Sequence, residues 1–277
     1  DYLPEMEWLV EALGGKFSVN QAEKWAGGDR EVYRFFELFD LPAIPGAKDL
    51  AARGGVTPPF KPHFEEKLWL ALFWTPALRK VWSKELRGSH LQRLQQLLPF
   101  GWVVDPSEIP PHAALPRLEV ASWDEVGKFS QKDRRLVLKV SGFSELAWGS
   151  RGVIMGHDVA SSEWQSAIAH AQEEFSTQPW VVQEFQETKL VEHPYFDSET
   201  GEKRIMVGRA RLCPYYFVDG QGETKLGGCL ATLSRTLFVY LKGLGAPKWF
   251  PFWTILGSGG ASDALGAQMV LGAPSLR

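Results

Sequence analysis

Cysteine is almost missing from this 277-residue chain: Cys213 and Cys229 are the two present. They form no CxxC and no Cys/His spacing suited to zinc, so a disulfide framework and a structural zinc site are excluded and a reducing compartment, the cytoplasm, is expected. Strong charge of either sign is lacking too. The 30 basic residues against 33 acidic ones leave a net charge of −3, which excludes a protein whose affinity comes from neutralising many phosphates along a nucleic acid. No apolar run approaches the roughly 18 residues of a membrane span; the nearest, 226–256, is broken by Arg235, Lys242, Pro247 and Lys248. Asp1, Glu5 and Glu7 stand where a secretory leader would be basic, so neither leader nor membrane partner is expected. The chain opens on Asp1 rather than methionine, as a fragment of a longer protein would.

Several catalytic signatures are also missing. There is no GxxxxGK[ST] phosphate loop, no kinase GxGxxG, no HExxH and no GxSxG elbow. The GSGG at 257–260 imitates a dinucleotide loop, but Ser262 takes the place of its last glycine and too little chain follows for a βαβ unit. His63, His90, His112, His157, His170 and His193 are scattered without ligand spacing. The twelve tryptophans do not cluster, which suits core and groove positions better than an aromatic cage.

What is present is an ordinary globular composition, 44% apolar and 23% charged, on a chain long enough for a large core in one domain or two. Three regions follow from the patterning. Residues 1–104 read as mainly helical: Val32, Phe35, Phe36 and Phe39 recur at helical spacing, as do Leu78, Val81, Trp82 and Leu86. The nearly continuous apolar stretch 64–74 predicts a helix buried on most sides. A proline-rich passage at 105–116 supports neither helix nor central strand and marks the likeliest internal boundary. In 105–233 the pattern changes to a strand at 135–140, a glycine-containing loop at 141–152, a helix led by a Ser162/Gln165 capping box with Trp164, Ala167, Ile168, Ala171 and Phe175 at helical spacing, and a second strand at 180–185. The stretch 204–218, with turn chemistry at 197–201 and at Asp219 and Gly220, predicts antiparallel sheet. Residues 234–277 form a C-terminal extension, and the fold class is α+β.

The strand carrying Lys139 runs directly into SGFSELAWGSRG at 141–152. Glycine lets backbone N–H groups turn toward an anion, serine adds donors, and a lysine on a rigid strand supplies a point charge, which together make a phosphate grip. Lysine strand, loop, helix and then a strand ending in Gln183, Glu184 and Phe185 is an order that forms a nucleotide cleft, with the last strand facing a purine. Arg209 and Arg211 share one strand parity and so one face, where planar forks suit a phosphate or carboxylate. The alternatives at these positions are a lysine at a strand end beside a surface loop and a pair of exposed arginines.

Four blocks in this order resemble the circularly permuted ATP-grasp family, the glutathionylspermidine-synthase-like branch: VYRFFELFD at 32–40, GGVTPP at 54–59 leading to Lys67, the Lys139 strand with its glycine loop, and VVQEF at 181–185. The resemblance spans 32–233 and implies an ATP-grasp-like fold, with antiparallel sheets flanking a nucleotide cleft. It implies an ATP-dependent carboxylate–amine ligase acting through an acylphosphate on small-molecule acid and amine substrates. Lys67, Lys139, Ser141, Gly142, Gly149, Arg151, Gly152, Gln183, Glu184 and Phe185 would bind ATP, while Arg209 and Arg211 would orient the reacting groups. Mg2+ would be needed. Glu37 and Asp40 are the nearest acidic candidates, each equally readable as the polar edge of a helix, and Thr57 stands where the family carries a better metal ligand. If no ligand set exists, the alternative is a noncatalytic module that kept the scaffold.

Overall fold

The computed structural model describes residues 3–110, 112–142, 144–147, 151–197, 199–234 and 267–271. They form an α+β structure. The strands are β1 (Ser18–Gln21), β2 (Glu31–Phe35), β3 (Val56–Thr57), β4 (Gly101–Val103), β5 (Leu136–Val140), β6 (Val153–Met155), β7 (Trp180–Glu184), β8 (Leu190–Asp197), β9 (Glu202–Val218), β10 (Thr224–Ser234) and β11 (Ala267–Leu271). The α-helices are α1 (Leu3–Leu13), α2 (Ala47–Arg53), α3 (Trp69–Leu72), α4 (Arg79–Glu85), α5 (Gly88–Leu97), α6 (Trp123–Gly127) and α7 (Ser161–Glu173). None of the described helices is long and apolar enough to cross a membrane.

Two compact units divide the chain. One comprises residues 1–185 and 264–277, the other 186–263. The division therefore does not fall at 104/105. The proline-rich passage does lack helix and strand, as expected, but it lies along the first unit: the indole of Trp102 donates to Pro116 O at 2.9 Å, and Leu115 and Leu118 pack against the core beneath.

The first unit holds two sheets. One has the order β1-β11-β2-β3 and is parallel throughout, an addition to the expected antiparallel sheets. Residues 1–104 hold more helix than strand, as expected, but residues 32–35 lie in strand and not in helix. Val32, Arg34, Phe36 and Leu38 are the buried positions, a period of two that a charged residue in the series concealed. Arg34 can be buried because its guanidinium is fully engaged: Nε donates to Pro58 O at 3.2 Å, Nη1 to Phe36 O, and Nη2 pairs with Glu65. On one face Val32 and Phe36 pack with Ala47 and Leu50 of α2; on the other Tyr33 and Phe35 pack with Met6 of α1. The strand β11 lies between β1 and β2, so this part of the C-terminal region belongs to a sheet and is not an appendage.

The stretch 64–74 is also corrected. It forms two short turns, a 3-10 turn at Pro62–Phe64 and α3; Phe64 and Trp69 turn outward, 66% and 43% exposed, while Phe73 and Trp74 are half-buried. The helix expected around Leu78 to Leu86 is present as α4.

The second sheet, β4-β7-β5-β6, is antiparallel. Leu136, Leu138 and Val140 alternate onto one face, where they join Trp102, Val182 and the α7 residues Trp164, Ile168 and Ala171 in the largest core. The buried indole of Trp164 donates to Val126 O of α6 at 2.9 Å. Helix α7 begins two residues earlier than expected, behind Ala160, and no side chain caps it. The Ser162/Gln165 capping box is thus not formed, since Ser162 is already inside the first turn.

The second unit contains the sheet β10-β9-β8, antiparallel as expected, with Arg209 opposite Leu190 on one side and Ser234 on the other. Both turns fall where predicted, with Asp197 Oδ1 accepting from Glu199 N and Asp219 Oδ1 from Gln221 N.

Candidate functional site

Strand alternation places Val137 and Lys139 of β5 on the face opposite the large core. In β7, Val181 stands opposite Lys139 and Gln183 opposite Val137, so Gln183 shares the lysine's face. The Lys139 ammonium donates to Gln183 Oε1 at 2.6 Å. Gln183 is 3% exposed and its Nε2 has no partner.

The segment 65–68 lies over this face and supplies a second ammonium. Leu68 N donates to Ser141 Oγ at 3.0 Å, Ser141 Oγ donates to the Glu66 carboxylate, and Gly142 N donates to Glu66 Oε2 at 2.8 Å. A Cβ on Gly142 would come within 2.9 Å of Glu65 O, so only glycine permits this approach. Lys67 Nζ reaches toward Ala147 O at 3.5 Å. Gly152 closes the loop: its N–H donates to Leu146 O at 2.7 Å, its carbonyl accepts from Val140 N at 2.9 Å, and a Cβ there would lie 2.3 Å from Val140 Cγ1.

The two ammonium groups sense each other. Burial pushes the Lys139 pKa down, and the neighbouring Lys67 charge pushes it the same way. Burial likewise lowers Lys67, opposed by the carboxylates of Glu66 and Glu37. Two half-dehydrated cations beside an unpartnered amide make a place that favours an anion, because an anion restores the solvation that burial removed from both.

Lys67, Lys139, Ser141, Gly142, Gly152 and Gln183 are thus brought together. Glu184 has the opposite strand parity, and its carboxylate pairs with Arg117 at 2.9 Å. Phe185 stacks edge-on against His157 and lies under the Arg135 guanidinium. Arg151 is an exposed turn residue after the loop. Gly149, and Trp148 beside it, lie outside the described residues. Arg209 and Arg211 belong to the second unit, where Arg209 pairs with Glu187 at 3.2 Å.

Glu37 and Asp40 meet, but as a reciprocal cap of the 3-10 turn Leu38–Ala43, with Glu37 N donating to Asp40 Oδ2 at 3.3 Å. Among the described residues no three histidine, cysteine or acidic side chains converge as a metal site. The described residues therefore do not by themselves form a carboxylate cage for magnesium.

Sequence reasoning missed Glu66 and Arg117. Glu66 had a signal: Glu65, Glu66 and Lys67 are the charged triplet inside an otherwise apolar stretch, and all three turn inward. Arg117 had none, since it meets Glu184 only through the path of the proline-rich passage. No family model, no curated protein and no solved structure matches the chain.

Proposed function

We propose that the first unit binds the phosphates of ATP over Lys139 and Lys67 and that the protein is an ATP-dependent carboxylate–amine ligase with an ATP-grasp-like arrangement. The observation that carries the reading is the convergence of two desolvated ammonium groups, from β5 and from the distant segment 65–68, beside the glycine-bearing loop and the buried amide of Gln183. Fixed cations in a dry site are what phosphoryl transfer requires, because catalysis there is mainly positioning and charge stabilisation. In the reaction a carboxylate oxygen attacks the γ-phosphorus and ADP leaves; an amine then attacks the acyl carbon and phosphate leaves. No step is assigned to magnesium.

The reading is tested by calorimetry with a non-hydrolysable ATP analogue, with and without magnesium. One site is expected, weakened at least about tenfold by Lys139→Ala, in line with a charge-assisted contact; tight binding untouched by that change would remove the assignment. A second reading, a noncatalytic nucleotide-binding or interaction module, is favoured by one observation: Glu66 already holds the Ser141 hydroxyl and the Gly142 N–H. Release of ADP in a panel of acids and amines would exclude it.

A further inference from the structure

Beside the two-lysine site, along the free edge of β4, lies a cavity of about 500 Å³. It shares Leu68 and Gly101 with that site: Leu68 N is bonded to Ser141, and Gly101 stands opposite Gln183. Its walls are mostly apolar and aromatic, with Leu72, Trp74, Phe100 and Trp102 prominent. The volume falls within the range of small-molecule pockets, roughly 300–1,000 Å³.

The polar handles of the wall are already used. Trp74 Nε1 donates to Pro99 O and Trp102 Nε1 to Pro116 O, each at 2.9 Å, so a ligand meets ring surfaces rather than indole donors. One ionisable side chain lines the cavity, Asp105. Its Oδ1 accepts from Ser107 N at 2.8 Å, and no cation pairs with it among the described residues. The guanidinium of Arg117 is not part of the wall; it lies 4.3 Å from the Phe100 ring centroid and 5.8 Å from that of Trp74, and it pairs with Glu184 at 2.9 Å. Asp105 is therefore the charge that a ligand meets on this wall, and it attracts a cation and repels a carboxylate.

We propose that this cavity binds a primary amine carrying an aromatic or branched apolar body, its ammonium toward Asp105 and its body among Leu72, Trp74 and Phe100. As a binding site it stands without the nucleotide reading; its role as the seat of the nucleophile rests on that reading.

Tryptamine and indole-3-propionate, titrated calorimetrically into the full chain, separate the possibilities. Tryptamine should bind at one site at least tenfold more tightly than the carboxylate. Asp105→Asn should erase that preference, and Leu72→Trp, which fills the cavity, should abolish both heats. Lys139→Ala should leave tryptamine affinity unchanged while weakening the ATP analogue, so the two readings fail separately. No binding of tryptamine at millimolar concentration, equal affinity for the two probes, a preference that survives Asp105→Asn, or loss of tryptamine binding in Lys139→Ala would each overturn the proposal.

Discussion

Lys139 is held by one neutral oxygen, that of Gln183, and faces a second ammonium across the site. Its pKa is depressed in the folded chain, so between that value and the ordinary lysine range the unfolded chain binds more protons than the folded one. Stability contributed by this group therefore rises as pH rises through that window, and the full cost of burying the ammonium, with the Lys67 charge beside it, is present below it. Replacing Lys139 with methionine should stabilise the protein at neutral pH, with the gain shrinking as the pH climbs toward the ordinary lysine range. Thermal unfolding across that pH series checks the sign; a constant difference would show that the charge is not the cause. Binding of a phosphate anion should raise both lysine pKa values.

At the scale of elements, β11 is the strand that joins β1 to β2. Met269 pairs with Val19 on one side and Tyr33 on the other, and proline has no N–H to give a central strand. Met269→Pro should destabilise the parallel sheet by at least about 1 kcal/mol, visible as faster amide exchange in Glu31–Phe35 with β5 unaffected. Elements whose pattern is local were legible in the sequence: β5, α7 and β7 carry Leu138, Trp164 and Val182 at the spacing their structure needs. Local pattern failed where a distant partner overrode it. Arg34 reads as exposed until Glu65 and Pro58 are beside it, and nothing near 267–271 announces a partner at 18–21. The site shows the same division. Lys139, Ser141 and Gln183 lie on elements the sequence displays, whereas Glu66 reaches Gly142 only after the whole unit has closed.

The molecule as a whole is unevenly consolidated. Most of the buried side chains belong to the first unit, while among the described residues of the second unit Gly208 alone is buried. Large apolar groups such as Ile205, Leu212, Tyr216 and Val218 stand exposed on its sheet. Opening free energy follows buried contact, so amides of β8, β9 and β10 should exchange at least about a hundredfold faster than those of β5 and β7. Equal protection in hydrogen-exchange mass spectrometry would contradict this ranking. The placement of β11 has a further consequence for synthesis. On the ribosome, β1 and β2 emerge long before the strand that joins them. Until it arrives their facing edges stay open to strangers, the condition in which unpaired strands of growing chains couple to one another.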